Sequence, residues 1–210
     1  MLTVHHLGVS QSERIVWLCE ELGLAYELKR YDREPQGMAP ADYKALHPLG
    51  AAPVITDGDV VLAESGAIME YILAKYGDGR LAVGPDEPNF ADYLYWLHFS
   101  NGTFMPAHMT LMFQRFTAGA EGVAAFLAER ADRLWRFVDE RLGEVPYFAG
   151  EEFTAADIIM GFPLTTMRAF LQRDLSPYPN ICAYLKRIGE RPAYRRAIEK
   201  GDPQMQPFLS

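Results

Sequence analysis

The chain is short of cysteine, short of cations and without a long apolar run. Its two cysteines, Cys19 and Cys182, are too few in 210 residues for a disulfide framework. Both fall inside helical patterns, as expected in a reducing compartment. No CxxC pair is present, so the usual dithiol of a redox protein is missing. Lys and Arg number 20 against 28 Asp and Glu, a formal charge of −8. The most basic stretch, residues 187–200, is interrupted by Glu190 and Glu199 and offsets nothing. Such a balance repels phosphate backbones and anionic lipid, which argues against nucleic-acid and membrane partners. No stretch approaches the roughly 18 apolar residues of a membrane span. No basic region with a following apolar run marks a secretory signal, so the expected location is the cytoplasm. No glycine-rich phosphate loop occurs, because Gly77-Asp-Gly79 does not follow a strand. His5 and His6 point to opposite faces of a strand, and His98 and His108 are too far apart to chelate one ion, so no metal site is expected.

What remains is an ordinary globular composition, 49% apolar and 23% charged. A chain of this length buries roughly two-thirds of its unfolded surface and needs no staple. The first third alternates between strand and helix signals. Residues 2–7 and 26–31 read as strands. Between them, Ile15, Val16, Leu18, Cys19 and Leu22 recur at helical spacing before Gly23. A short helix over 40–46 ends at His47-Pro48. Two strands at 54–56 and 60–63 flank Asp57-Gly58, a strong hairpin signal. A helix follows over 65–76, with Ile68, Met69, Ile72 and Leu73 on one stripe. The order suits a small mixed sheet flanked by helices. Residues 77–89 are rich in Gly, Pro and Asp and read as a linker. Beyond them every signal is helical: 91–116, with a kink or break at Pro106, then 122–142, 154–171, 180–189 and 193–199. The expected fold class is α/β plus all-α, with an α/β domain over 1–78, a linker over 79–89 and an all-helical domain over 90–210.

Three local features have chemical potential. Ser10 and Glu13 form a capping-box pattern at the first strand–helix junction. Ser10 at the same place could instead donate to an anion beside helix-N-terminal amides, stabilising a bound thiolate. Residues 49–54 place Pro53 at the start of a strand, where it belongs to an end or an edge. A cis bond there would leave Ala52 presenting its amide and carbonyl like an unpaired edge. In Glu64-Ser65-Gly66, Ser65 is a natural helix cap that could hold a carboxylate, and Glu64 could accept an ammonium.

In combination, SQSERIVWLCEELGL, HPLGAAPVI, LAESGAIMEYI and FTAADI resemble the glutathione transferase family over essentially the whole chain, closest to a bacterial and fungal branch with an active-site serine. The resemblance implies an N-terminal thioredoxin-like domain that binds glutathione and an all-helical C-terminal domain that supplies a hydrophobic substrate pocket. It implies that Ser10, with Ser12 as the alternate, hydrogen-bonds the glutathione sulfur and activates it toward hydrophobic electrophiles, as in detoxification. Pro53 matches a cis-proline, Ala52 the residue pairing with the cysteinyl unit, and Glu64 and Ser65 the pair gripping the γ-glutamyl group. Thr154 and Asp157 match a helix-capping box. Ala51 stands where many relatives carry a basic residue and His47 where they carry Asn, which makes His47 the candidate for the glycine carboxylate. Cys19 lies mid-helix, away from the catalytic position. The pocket is expected from Trp96, Phe99, Asn101, Phe104, Met105, His108, Met109 and Met112. Glutathione is the implied co-substrate, no metal is implied, and a homodimer is implied with residues 65–76 near the contact. Two alternatives share the fold: a glutathione-dependent disulfide reductase or peroxidase, and a non-catalytic interaction module.

Overall fold

The computed structural model describes residues 1–114 and 121–210. Its contacts divide the chain into two compact units, Met1–Ala82 with Gly189–Pro207, and Val83–Ile188 with Phe208–Ser210.

The first unit contains β1 (Leu2–Leu7), α1 (Glu13–Leu22), β2 (Glu27–Tyr31), α2 (Ala41–Lys44), β3 (Val54–Asp57), β4 (Val60–Ala63), α3 (Ser65–Tyr76) and the C-terminal α9 (Pro192–Gly201). The strands form one mixed sheet in the order β2-β1-β3-β4. β1 runs parallel to β2, with His5 opposite Lys29, and antiparallel to β3, with His5 opposite Val54. β3 and β4 form the hairpin predicted at Asp57-Gly58. As the second strand from one edge, β1 is covered on both faces, which is why LTVHHL is nearly all buried rather than alternating. Val4, Ile15, Leu18, Ile55, Ile68 and Ile72 are fully buried in this unit.

The expected helical domain over 90–210 is cut short, because residues 189–207 belong to the first unit. α9 lies against α1, where Tyr194 meets Trp17 edge-on with ring centroids 4.8 Å apart. Glu20 receives Arg196 at 2.9 Å, and Glu21 receives Arg191 at 2.6 Å. The amphipathic spacing of α9 foretells a buried face but not its partner.

The second unit contains α4 (Phe90–Phe99), a π-helical turn at Ser100–Phe104, α5 (Met105–Gln114), α6 (Glu121–Glu144), α7 (Ala155–Leu164) and α8 (Pro179–Gly189). At Pro106 the helix does not stop. The preceding turn widens to π geometry, with Met105 N–H reaching Ser100 O, which accommodates a residue that cannot donate. The helix expected over 154–171 ends at Leu164, because Thr165 leaves helical dihedrals (φ −116°, ψ −95°) and a 3₁₀ turn at Thr166–Ala169 follows. α7 opens with a full capping box: Thr154 N–H donates to Asp157 Oδ2 at 2.8 Å, and Ala156 N–H donates to Thr154 Oγ1 at 3.3 Å. Among the described residues no helix is long and apolar enough to cross a membrane.

Candidate active site

Three turns of the first unit carry the sequence-predicted residues. In the β1–α1 turn, Val9 adopts φ +50°, an outlier for a β-branched side chain. The surroundings hold it there. Val9 N–H donates to Asp202 Oδ1 at 2.9 Å, and Arg33 donates to the carbonyls of Gly8 and Val9 at 2.8 and 3.1 Å. Such over-determined strain is typical of functional turns.

Ser10 follows directly. Its Oγ donates to Leu7 O at 2.7 Å, lies 2.8 Å from Ser12 Oγ, and accepts Ser12 N–H at 3.2 Å. The capping box expected for Ser10 and Glu13 sets the cap two residues before the observed one. α1 begins at Glu13 with Ser12 in the cap position and no side-chain cap, and Glu13 N–H bonds the Ser10 carbonyl at 3.1 Å instead. Ser12 is fully buried, whereas Ser10 retains 6% exposure. The Ser12 hydroxyl accepts Leu7 N–H at 3.1 Å and lies 2.9 Å from His6 Nδ1. His6 Nε2 in turn lies 3.0 Å from Asp202 Oδ2. Burial raises the Asp202 pKa, but the hydrogen bond from His6 outweighs it, aided by Val9 N–H, so this carboxyl stays below its usual range.

The second turn carries a cis peptide bond between Ala52 and Pro53. Ala52 packs on the Leu7–Tyr43–Val54–Ala63 cluster. Among the described residues its N–H and C=O make no hydrogen bond, so both are available to an extended ligand. His47 is half-buried, and its Nδ1 accepts Leu49 N–H at 3.3 Å.

In the third turn, Glu64 is exposed with φ +72°. This strained residue, not Ser65, occupies the cap of α3, since its carbonyl accepts Ile68 N–H at 2.9 Å and the helix opens at Ser65. Ser65 is buried and accepts from Arg14 Nη1 at 3.2 Å, and the same nitrogen reaches Gln11 Oε1 at 2.5 Å. Burial pushes the fully enclosed Arg14 down to about 9, with Glu13 opposing. Arg14, His6, Arg33 and Asp202 have no place in the sequence-based site. Arg14 had a readable signal, since it shares a helical stripe with Leu18 and Leu22.

The expected pocket residues lie in the second unit. Trp96, Phe99, Phe104 and Met105 are buried among aromatic neighbours, with Trp96 4.8 Å from Phe148 and Phe104 stacked on His108 at 4.2 Å. Asn101, Met109 and Met112 are half-buried. A cavity of about 400 Å³ is lined by His108, Leu111, Trp135, Pro163, Met167 and Leu171, with others. His108 is the one predicted pocket residue on its wall; Trp96 lines a separate depression of about 320 Å³. Burial pushes His108 down to about 4, and it accepts Trp135 Nε1–H at 2.6 Å as a neutral imidazole. Among the described residues no group of three or more His, Cys, Asp or Glu could hold a metal ion.

A four-stranded mixed sheet with a cis-proline before β3, joined to an all-helical unit, defines a thioredoxin-like domain with a helical partner. Residues 2–74 match the glutathione S-transferase N-terminal domain model and residues 101–192 the C-terminal domain model. Glutathione S-transferase 3 of Schizosaccharomyces pombe is 37% identical over 95% of this chain and 88% of its own. A glutathione S-transferase crystal structure from Actinobacillus pleuropneumoniae superposes with a TM-score of 0.89 at 37% identity, covering 100% of this chain and 99% of that one. A glutathione transferase homologue from Sulfitobacter, solved with bound glutathione, gives a TM-score of 0.79 at 25% identity over 96% and 98% of the two chains. The chain belongs to the glutathione S-transferase family of enzymes.

Proposed function

We propose that the chain conjugates glutathione to hydrophobic electrophiles, with Ser10 as the hydroxyl that hydrogen-bonds and stabilises the glutathione thiolate. The observation that carries this reading is the strained turn at Val9, which fixes Ser10, a residue retaining 6% exposure, shortly before α1. In this reading the tripeptide pairs with the free Ala52 backbone beside Pro53. Its γ-glutamyl carboxylate meets Ser65 and the N-terminus of α3, its ammonium meets Glu64, and His47 approaches the glycine carboxylate. Ser12, being fully enclosed, supports Ser10 rather than replacing it. The electrophile pocket draws on the predicted set Trp96, Phe99, Asn101, Phe104, Met105, His108, Met109 and Met112, with the half-buried Asn101, Met109 and Met112 the members best placed to yield surface. Proximity to a preformed thiolate supplies the acceleration. A reductase working through the Cys19 thiol is disfavoured, because burial and Glu20 push it up to about 12. The proposal extends to a cytoplasmic homodimer with α3 near the contact, which sedimentation equilibrium tests.

The deciding experiment is calorimetric titration of glutathione into wild type and Ser10→Ala, with thiolate absorbance followed against pH. Wild type should bind and form thiolate near neutral pH, while Ser10→Ala should bind and lose the thiolate. Retention of the thiolate in Ser10→Ala would remove Ser10 from the role.

A further inference from the structure

Behind Ser10 lies a continuous line of hydrogen-bonding groups leading inward. Ser10 Oγ is 2.8 Å from Ser12 Oγ, Ser12 Oγ is 2.9 Å from His6 Nδ1, and His6 Nε2 is 3.0 Å from Asp202 Oδ2. His6 and Ser12 are fully buried, and Asp202 and Ser10 nearly so. We propose that His6, held by Asp202, is the base that receives the glutathione thiol proton through the Ser12 and Ser10 hydroxyls. This rests on the reading of Ser10 as the thiol-binding hydroxyl.

The hydrogen-bond inventory is compatible with one inward direction. With Asp202 ionised, His6 donates Nε2–H to it and leaves Nδ1 as an acceptor. The Ser12 hydroxyl accepts Leu7 N–H at 3.1 Å and has two acceptors for its single proton, Leu7 O at 3.2 Å and His6 Nδ1 at 2.9 Å; the relay uses the shorter contact, to His6. Ser10 places its proton on Leu7 O at 2.7 Å in the resting state. Rotation of that hydroxyl to Ser12 Oγ completes the line.

When a thiol arrives, its proton passes to Ser10 Oγ, the Ser10 proton passes to Ser12 Oγ, and the Ser12 proton passes to His6 Nδ1. The sulfur keeps the S–H electron pair. The products are a thiolate accepting from Ser10 and an imidazolium flanked by Ser12 and Asp202. Net charge within the site is unchanged, so a closed active site need not expel a proton to solvent. After conjugation, the proton retraces the two hydroxyls to water in the vacated site.

The backbone is shaped for this contact. A Cβ added at Gly201 would come within 3.1 Å of His6 Nε2, so the glycine lets α9 bring Asp202 onto the ring. Of the charged groups near the pair, Arg30 from β2 and Arg33 from the following loop act on Asp202, and both favour its ionised form. A merely structural dyad would tie α9 to β1 without any link to proton uptake at Ser10.

The test counts protons. Glutathione is titrated calorimetrically in buffers of different ionisation enthalpy at a pH of about 8, above the ordinary imidazole range, while thiolate absorbance is read in parallel. Wild type should form the thiolate with almost no proton released to buffer. Ser12→Ala and His6→Gln should either release a full proton per thiolate or lose about tenfold or more of the thiolate population. S-Methylglutathione, which has no thiol proton, should bind all three proteins alike, separating a cut relay from a damaged fold. A full proton released by wild type, with thiolate yield unchanged in both variants, overturns the relay and leaves Ser10 as the activator. Absence of any thiolate in wild type overturns both.

Discussion

The Arg14 guanidinium donates to the Ser65 hydroxyl across 3.2 Å, and both side chains are buried. One cation therefore ties the start of α1, where the thiol is proposed to sit, to the start of α3, where the γ-glutamyl group is proposed to sit. Replacing it by Arg14→Met keeps the stem and removes the donors. The expected loss is about 2–4 kcal/mol of unfolding free energy, since buried polar partners lose a charged donor. Glutathione affinity should fall as well. Denaturant unfolding and calorimetry check both, and unchanged values in the two measurements would refute the tie.

Asp57 gathers Lys75 Nζ at 2.7 Å, Tyr71 OH at 2.9 Å and Tyr76 OH. Lys75 foremost, then Tyr76, hold its carboxyl down at about 2. The folded pKa lies below the unfolded value of about 3.9. The stabilisation is therefore complete above about pH 4 and disappears as pH falls through about 2. In Asp57→Asn the melting temperature should depend less on pH across that window, which a series of thermal melts reads directly.

The two cysteines should react in a fixed order. Cys182 is half-buried, whereas Cys19 is buried with its thiol raised to about 12. An aromatic disulfide reagent should modify Cys182 first and reach Cys19 only at the rate of unfolding. Stopped-flow absorbance with Cys182→Ser as control distinguishes the two, and rapid labelling of that variant would contradict the assignment.

In the second unit, Asp157 accepts Phe148 N–H at 3.0 Å and Thr154 N–H at 2.8 Å. Asp157→Ala leaves two buried amides without their acceptor and should cost about 3 kcal/mol or more. Thr154→Ala removes one arm of the cap and should cost about 1 kcal/mol. Equal costs in denaturant titration would mean that the box does not divide as drawn.

The elements of the sheet were legible because each carries a local signal: Asp57-Gly58 for the hairpin, Gly23 for the end of α1, the stripe of Ile68, Met69, Ile72 and Leu73 for α3. Local chemistry misplaced the caps. Ser10 and Ser65 are good cap residues, but Val9 and Glu64 adopt positive φ and shift both helix starts away from those hydroxyls. At Val9 the strain is enforced by Asp202 and Arg33 from elsewhere in the fold, and nothing within a few residues announces it. The aromatic stripe of α4 was visible in the sequence, yet hydrophobic period alone does not separate a core wall from a pocket wall; Trp96 and Phe104 are core. His6 enters the sequence reading only as a histidine on the strand face opposite His5. Its partner stands 196 positions downstream, beyond the reach of any spacing argument.

That separation bears on how the protein is made. The turn that presents Ser10 is fastened by Asp202, and α1 is sheathed by Tyr194, Arg191 and Arg196. During synthesis the N-terminal strands leave the ribosome long before these residues exist. A nascent chain can pair its strands early but cannot set the Val9 turn until Asp202 emerges. A chain lacking α9 and Asp202 would keep the residues proposed to face glutathione and leave the Val9 turn unfastened, so making that helix doubles as a check on the turn before α1.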